Sequence, residues 1–383
     1  MHPFEKTVSF VKEQFPNQDF IPLHEPRFVG NEKKYLLDCI DSTFVSSVGK
    51  YVTDFEKQIA DYTGAKYAVA CVNGTSALHM AMLVTGVNRG DLVLTQSLSF
   101  VATCNAITYL GASPVFIDID KDTLGLSPYK LKVYLEEFAE IREDGLSYHK
   151  STGQRIAACL PMHTFGHPCK IDELVTICEA YNISLVEDAA ESIGSFYKEQ
   201  HTGTFGLLGT FSFNGNKTIT CGGGGAIITN DEALAKKAKY LTTQAKVPHK
   251  WDFVHDEIGY NYRMPNLNAA LLCAQLEQLE YYLENKRELA IAYQDFFKEI
   301  RIEFIKEPEN SKSNYWLCAL SFENKESRDE FLKFTNENGV MTRPIWTLMS
   351  RLEMFKNCLK GDLENSEWLA DRLVNVPSSV RVK

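Results

Sequence analysis

The sequence lacks the features that would assign it to a membrane-bound, secreted or nucleic-acid-binding class. No apolar run approaches the roughly 20 residues that a membrane-spanning helix needs. The N-terminal segment MHPFEKTVSFVKEQF carries scattered charges and no apolar stretch typical of a secretory signal. A net charge of −10, from 40 basic and 50 acidic residues, disfavours nonspecific nucleic-acid binding. We therefore expect a soluble, cytoplasmic protein that binds neither membranes nor nucleic acid.

Cysteine pairs with metal-site or redox spacing are also missing. The ten cysteines include no C-x-x-C, and most lie in apolar segments such as AVACV, which predicts reduced and buried thiols. In PMHTFGHPCKID, His163, His167 and Cys169 are conceivable metal ligands. Gly166 and Pro168 predict a loop there, so the two histidines would not share a helix face, and a fourth ligand is missing. We predict no metal site.

Internal repeats and low-complexity segments are absent, and from about residue 64 the chain instead alternates between strands and helices. The apolar segments AVACV, DLVLTQ and PVFIDID are each followed by a helical pattern. Ser127 and Pro128 mark the N-cap and first position of one such helix. This alternation predicts an α/β domain with a mostly parallel sheet. A length of 383 residues favours a second domain.

The pattern changes in the second half of the chain. TFSF and GAIIT predict two strands with no helix between them, and residues 244–265 predict a long loop. The segment NLNAALLCAQLEQLEYYLENKRELAIAYQDFFKEI has apolar residues at helical spacing, which predicts one helix of about 30 residues leading into a second domain. We predict a large domain at 1–255, N-terminal segment included, and a small α+β domain at 256–383.

A polar turn follows the first predicted strand, in VNGTSALHMAM. Asn73 and Gly74 form the turn, and Thr75 and Ser76 begin a helix. Free backbone N–H groups and the helix dipole favour an anion at such a helix start. The alternative is an ordinary capped turn, because Ser and Thr are common helix caps.

Charged residues follow two other predicted strands. Glu187, Asp188 and Glu191 come at the end of ISLVEDAAES, and open α/β sheets bind ligands at the carboxyl ends of their strands. Salt bridges or caps are the alternative use of these carboxylates. Lys217 follows the strand in FSFNGNK, and because Asn216 precedes it and no helix follows, the segment is not a phosphate-binding P-loop. An exposed surface lysine is the alternative, although the flanking segments are apolar.

The lysine, the carboxylate and the phosphate-binding turn together match what pyridoxal phosphate (PLP) requires. The lysine forms a Schiff base, the carboxylate keeps the pyridinium nitrogen protonated, and the turn binds the phosphate. Phe100, in SLSFVATCNAI, can cover the ring. We predict PLP, with its amine form pyridoxamine phosphate, as the cofactor.

Over nearly its full length the sequence resembles the DegT/DnrJ/EryC1/StrS family of PLP-dependent nucleotide-sugar aminotransferases. The similar segments are GNEKKYLLDCIDSTFVSSVGKYVTDFE, VNGTSALHMA, SFVATCNAI, PMHTFGHPCKID, VEDAAESIGSFY, GTFSFNGNKTIT, GYNYRMPNLNAA and TRPIW. The resemblance implies the type I (aspartate aminotransferase) fold, with a mostly parallel seven-stranded sheet in the large domain. It also implies a homodimer whose active sites are shared between subunits.

The resemblance assigns roles to individual residues. Lys217 would be the Schiff-base lysine and move the proton, and Asp188 would pair with the pyridinium nitrogen. The other implied cofactor contacts are Gly74, Thr75, Ser76 and Ser212 at the phosphate, Phe100 on the ring, Glu191 at the ring hydroxyl, and Asn261 at the phosphate of the neighbouring subunit. Candidate substrate contacts are His163, Arg27, Lys33, Arg343 and Trp346, with an exposed surface charge as the alternative for Arg27, Lys33 and Arg343.

A departure from the common family pattern suggests a branch. Gly223, in CGGGG, stands where many relatives have glutamate, and FVSSVGKYV and RPIWTLMSRLEMF resemble the legionaminic-acid and bacillosamine-type 4-aminotransferases. This implies transfer of an amino group from L-glutamate to a UDP- or GDP-linked 4-keto-6-deoxy-N-acetylhexosamine, for surface glycans such as legionaminic acid or O antigen. The alternatives are a sugar 3-aminotransferase, a GDP-perosamine-type synthase, and a non-catalytic regulatory or binding protein. Related dehydratases have histidine in place of the lysine, so Lys217 argues against that activity.

Overall fold

The computed structural model describes residues 2–381. Its α-helices are α1 Pro3–Gln14, α2 Glu32–Asp41, α3 Lys50–Thr63, α4 Gly74–Val84, α5 Val101–Tyr109, α6 Pro128–Phe138, α7 Ile171–Ala180, α8 Glu232–Thr242, α9 Asn266–Leu276, α10 Leu279–Glu299, α11 Lys325–Glu337 and α12 Glu364–Ala370. Short 3-10 helices occur at Thr164–Gly166, Met349–Arg351 and Glu353–Phe355.

The strands are β1 Tyr67–Cys71, β2 Leu92–Gln96, β3 Ser113–Ile117, β4 Ala139–Ile141, β5 Ser147–His149, β6 Ile156–Leu160, β7 Ser184–Asp188, β8 Phe196–Tyr197, β9 Gln200–His201, β10 Leu208–Ser212, β11 Gly225–Thr229, β12 Lys246–Val247, β13 Val254–His255, β14 Glu303–Phe304, β15 Ser311–Lys312, β16 Cys318–Ser321, β17 Arg343–Pro344 and β18 Leu373–Val376.

A seven-stranded sheet in the order β1-β11-β10-β7-β6-β2-β3 dominates the fold. The strands from β10 to β3 pair in parallel, whereas β11 is antiparallel to both of its neighbours. This confirms the predicted mostly parallel sheet and the predicted strand pair TFSF and GAIIT. Because parallel strands end at one edge, the residues that follow β7 and β10 meet there.

Apolar side chains cover both faces of this sheet, as expected for parallel strands between helices. One core contains Phe55 of α3 and Phe211 of β10, and another contains Met80 of α4 and Val186 of β7. Helix α6 begins as predicted, since the Ser127 side chain accepts a hydrogen bond from the Lys130 N–H. It ends at Phe138, and β4 follows directly.

A smaller antiparallel sheet, β14-β16-β18-β17, lies in the C-terminal part of the chain. Its core combines Tyr293 of α10, Phe331 of α11 and Val374 of β18. Val8 and Val11 of α1 belong to the same core. The N-terminal helix therefore packs with the C-terminal elements, which does not support its predicted placement in the large domain. The division at 255/256 stays a prediction.

One prediction of local structure is wrong and another is incomplete. The single long helix is two helices, because α9 ends at Leu276 and α10 begins at Leu279. Gln275 at this junction uses its side chain in tertiary contacts, donating to the Arg27 carbonyl and to Glu32. The loop at 244–265 contains a small hairpin of β12 and β13. Local periodicity carries no information about either feature.

The ten cysteines are free thiols, and all but Cys358 are buried, as the sequence predicts. Within residues 2–381, no helix combines the length and apolar character that crossing a bilayer requires.

Candidate active site

A cavity of about 330 Å³ opens where the segments after β1, β7 and β10 meet. The predicted residues that line it are Gly74, Thr75, Phe100, Asp188, Glu191, Ser212, Lys217 and Trp346, and Gly223 lines it as well. The structure therefore brings together residues that are up to 272 positions apart, from Gly74 to Trp346.

The start of α4 forms one wall of the cavity. The Asn73 side chain accepts a hydrogen bond from the Ser76 N–H at 2.7 Å, which caps the helix and leaves the Gly74 and Thr75 N–H groups at its N-terminus. A Cβ atom on Gly74 would lie 2.7 Å from Cβ of Ser212. Glycine at this position thus allows the helix start to lie directly against the end of β10. The result is a concave site with helix-terminal N–H groups and hydroxyls, which suits a phosphate.

Asp188 ends β7 and is almost completely buried, with 2% of its surface exposed. Its Oδ2 accepts a hydrogen bond from the Thr103 hydroxyl at 2.7 Å, and its Oδ1 accepts one from the Ala190 N–H at 3.2 Å. Burial raises the pKa of the Asp188 carboxyl, and the Thr103 hydrogen bond opposes that shift. Among residues 2–381, no cationic side chain forms a salt bridge with it, so its charge needs a partner from a ligand.

Lys217 and Glu191 form a buried pair. Lys217 Nζ lies 3.2 Å from Glu191 Oε1, and the two side chains are 11% and 1% exposed. Glu191 Oε2 accepts a hydrogen bond from the Phe165 N–H at 2.9 Å. Burial raises the pKa of Glu191 to about 7, against the opposing effect of Lys217. The lysine is therefore not a free surface charge, which was its alternative interpretation.

Aromatic side chains also line the cavity. Lys217 Nζ lies 3.9 Å from the centre of the Trp316 ring, a cation–π distance. The Trp316 Nε1–H donates to the Asn216 carbonyl at 2.7 Å, which fixes the indole beside the lysine loop. Phe100, half-exposed, meets Trp346 edge-on at 5.8 Å between ring centres.

Other predicted site residues lie elsewhere in the chain that the structure describes. Ser76 is buried next to its cap and does not line the cavity. Arg27 contacts the Val380 carbonyl and Glu25, and the exposed Arg343 contacts Asn336. The exposed Lys33 and Asn261 also lie outside the cavity of this single chain.

His163, a predicted substrate contact, is completely buried and does not line the cavity. Its Nδ1 accepts a hydrogen bond from the Cys169 N–H at 3.1 Å, so the ring proton lies on Nε2, which is 2.9 Å from Glu187 Oε2. Glu187 also accepts three backbone N–H bonds, from Gly203, Phe205 and Gly206. The pair connects loops beneath the site, which is a structural position.

Sequence reasoning missed two residues of the cavity that contact the predicted pair of catalytic groups. Thr103, in the segment that also contains Phe100, holds Asp188, and Trp316, about a hundred residues after Lys217, contacts the lysine. The sequence contained a weak signal for Thr103, because this hydroxyl residue follows Phe100 by about one helical turn. For Trp316 the sequence holds none, because a tryptophan before a buried strand is ordinarily a core residue.

The residues present fit the predicted cofactor. The α4 terminus with Thr75 and Ser212 would hold its phosphate, and Lys217 Nζ reaches the same cavity. The buried Asp188 carboxylate accepts two hydrogen bonds but has no salt-bridge partner among the described residues. A protonated ring nitrogen of the cofactor would be that cationic partner.

Comparison with known proteins agrees with this geometry. The profile of the DegT/DnrJ/EryC1/StrS aminotransferase family matches residues 26–383. The chain belongs to this family, and it is an aminotransferase that uses PLP.

Three curated relatives, from Escherichia coli O157:H7, Caulobacter vibrioides and Vibrio cholerae, are named GDP-perosamine synthase. The one from Escherichia coli O157:H7 is 34% identical over 94% of this chain and 93% of its own length. The one from Vibrio cholerae is 36% identical over 94% of each. The crystal structure of a DegT DnrJ EryC1 StrS aminotransferase from Brucella abortus is 26% identical with a TM-score of 0.81, covering 91% of this chain and 90% of that one. Fold and family are therefore established.

Proposed function

We propose that this aminotransferase transfers the amino group of L-glutamate to the keto carbon of a nucleotide-linked 4-keto-6-deoxy sugar, for synthesis of a bacterial surface glycan. The observation that carries the proposal is the cavity in which Lys217, Asp188 and the α4 terminus converge. A non-catalytic binding protein would have no need for this lysine and carboxylate together.

The relatives favour GDP as the nucleotide, since three of them are named GDP-perosamine synthase. A GDP-linked 4-keto-6-deoxy hexose is therefore the first candidate substrate. An N-acetylated 4-keto-6-deoxy hexosamine of the legionaminic-acid type is the second. Gly223 at the cavity wall supports this second substrate. A Cβ atom at Gly223 would have only the Val72 carbonyl oxygen within 4 Å, at 3.8 Å, so the glycine leaves open space there.

Each residue has a defined task in this reaction. Bound PLP supplies an electron sink for the carbon that gains or loses the amino group. Asp188 would stabilise positive charge on the ring nitrogen of the bound cofactor through its Oδ atoms. Lys217 Nζ accepts and returns the proton, for which its amine must be neutral. Trp316 and Trp346 exclude water from one wall of the cavity.

A panel of UDP-, GDP- and dTDP-linked 4-keto-6-deoxy sugars, with and without a 2-acetamido group, tests the proposal. We expect L-glutamate to bleach the visible absorbance of the purified enzyme and mass spectrometry to detect one amino sugar. Lys217→Ala is the control and should give no product. Bleaching without amination of any sugar would overturn the substrate class, and no uptake of added cofactor would overturn the assigned site.

We also propose that the enzyme is a homodimer with shared active sites. Large apolar side chains lie exposed in this chain at 37–48 and 251–258, including Val48 at 63%, Trp251 at 71% and Ile258 at 84%. Asn261 follows the second of these segments and lies outside the cavity of its own chain, which suits a role in the neighbouring one.

Subunit mixing tests the shared site. In a mixture of Lys217→Ala and Asn261→Ala subunits, one site of each heterodimer combines both defects and the other contains neither. We expect the mixture to recover cofactor occupancy and turnover that both homodimers lack. Occupancy equal to the mean of the two homodimers would count against a shared site.

A further inference from the structure

Glu191 is held in place by two contacts to its side chain and one to its backbone. Its Oε2 accepts the Phe165 N–H, and its Oε1 faces Lys217 Nζ at 3.2 Å. The Asn314 amide donates to the Glu191 carbonyl at 2.8 Å, which fixes the backbone. Phe165 has a positive φ of 58°, an uncommon conformation for a bulky residue. A strained backbone N–H therefore directs the free carboxylate oxygen at the lysine.

Burial raises the free-energy cost of keeping this pair charged. The Glu191 and Lys217 side chains are nearly inaccessible to water, at 1% and 11% exposure. Burying a carboxylate and an ammonium group costs more free energy than burying a carboxylic acid and an amine, unless further hydrogen bonds compensate. The Trp316 ring, 3.9 Å from Nζ, favours the ammonium form and opposes this. Burial raises the pKa of Glu191 to about 7, so this carboxyl can hold a proton at neutral pH.

We infer that Glu191 is a catalytic residue that accepts a proton directly from Lys217 and so releases the lysine as a neutral amine. In this step one Nζ–H bond breaks, its electron pair stays on nitrogen, and an O–H bond forms on Glu191 Oε1. An ammonium–carboxylate pair becomes an amine–carboxylic acid pair with no change in total charge. The free electron pair on Nζ is what bond formation to an aldehyde carbon requires. The inference rests on the proposed role of Lys217 as the cofactor lysine.

Other titratable groups face the pair without replacing Glu191. Asp188, at the end of β7, has both oxygens engaged by Thr103 and Ala190. His24, in the N-terminal segment, has its pKa lowered by burial and then by Lys286 and Lys217, so it stays neutral. His163 is engaged by Glu187 behind Asp188. Glu191 is thus the carboxylate in contact with the lysine amine.

The pH dependence of lysine acylation tests the inference without relying on turnover. The full-length enzyme is stripped of cofactor and trace-labelled with acetic anhydride, which acylates only neutral amines, and mass spectrometry follows Lys217. Internal proton transfer predicts two rises in rate, the first near pH 7, separated by a plateau, because two coupled groups titrate in two steps. In Glu191→Gln we expect a single rise. Reloading with PLP verifies that each sample is folded.

Glu257→Gln is the matched control, since it removes the carboxylate of the exposed Lys237 pair and should retain both rises. Glu191→Ala, measured in parallel, serves if the glutamine variant does not fold. A single rise in the wild type, or two rises in the Glu191 variants, would overturn the inference. Borohydride reduction of the loaded wild type identifies the cofactor lysine separately: attachment at another lysine would refute the role of Lys217 whatever its titration shows.

Discussion

The ring of Trp316 lies against Lys217, with 3.9 Å between the ring centre and Nζ, although the two residues are 99 positions apart in the chain. The indole is 4% exposed, and its Nε1–H is bonded to the Asn216 carbonyl in the lysine loop. One tryptophan from the C-terminal part of the chain thus contacts both the side chain and the loop that present the predicted cofactor lysine.

Replacing Trp316 should weaken cofactor binding. We expect Trp316→Leu to raise the Kd for PLP about 2- to 12-fold, because the ring lines the cavity beside the predicted cofactor lysine and an aromatic contact contributes about 0.5–1.5 kcal/mol. Trp316→Phe keeps a ring and should have a smaller effect. Titration of the apoenzyme, followed by absorbance, measures both. Trp368→Leu removes a similar contact with Lys121 away from the cavity and should leave the Kd unchanged. Equal effects of all three variants would contradict the assigned role.

Asp188→Asn should retain the cofactor and lose turnover. The amide oxygen can still accept the Ala190 N–H, and the amide NH2 can donate to the Thr103 hydroxyl, but the side chain carries no charge for the ring nitrogen. We expect kcat to fall about 100-fold or more, equivalent to about 3 kcal/mol of transition-state stabilisation. Single-turnover rates with L-glutamate provide the measurement. A rate within threefold of the wild type would show that the carboxylate is not the electronic partner.

Thr103→Val should reduce turnover more modestly. It removes the 2.7 Å hydrogen bond to Asp188 Oδ2 and leaves that oxygen unpaired in a buried site. A hydrogen bond to a charged group contributes about 1.5–3 kcal/mol, so we expect a loss of about 10- to 100-fold in kcat if most of this acts on the transition state. Thr108→Val, on the exposed face of the same helix, is the control for a β-branched substitution in α5. A similar loss of kcat in the control variant would show that the substitution acts by disturbing helix α5 instead.

Lys286 should give the protein a pH-dependent stability. This buried lysine donates to the Trp316 and Ser378 carbonyls and contacts His24, and burial lowers its pKa to about 7. Between pH 7 and the ordinary lysine pKa of 10.5, the unfolded chain keeps this proton and the folded chain loses it. The free energy of unfolding therefore rises with pH over this range. Relative to Lys286→Met, the wild type should gain roughly 2 kcal/mol between pH 7 and 9.

Urea unfolding of the two proteins at both pH values measures this difference. Lys312→Met, which replaces an exposed lysine, is the matched control. A constant difference between wild type and Lys286→Met from pH 7 to 9 would show that Lys286 titrates normally.

The strand–helix alternation was readable in advance because each element has a local cause. Apolar strands of five residues, the Ser127 cap and the turn at Gly74 all depend on neighbours in sequence. The break between α9 and α10 was not predictable from periodicity, since both helices have the same spacing and Gln275 makes its contacts with the distant Arg27 and Glu32. The packing of α1 with α10 and α11 depends in the same way on a partner that follows much later in the chain.

The sequence by itself determined the family, the cofactor and the residue types that hold it, because those residues lie in short segments whose chemistry is local. Only the tertiary structure decided which groups touch Lys217. Glu191 approaches it with a strained Phe165 N–H behind it, Trp316 lies beneath it, and Thr103 secures Asp188 nearby. Such contacts depend on distances of 2.7–3.9 Å between groups from separate strands and loops, and burial then shifts the pKa of the carboxyl groups among them.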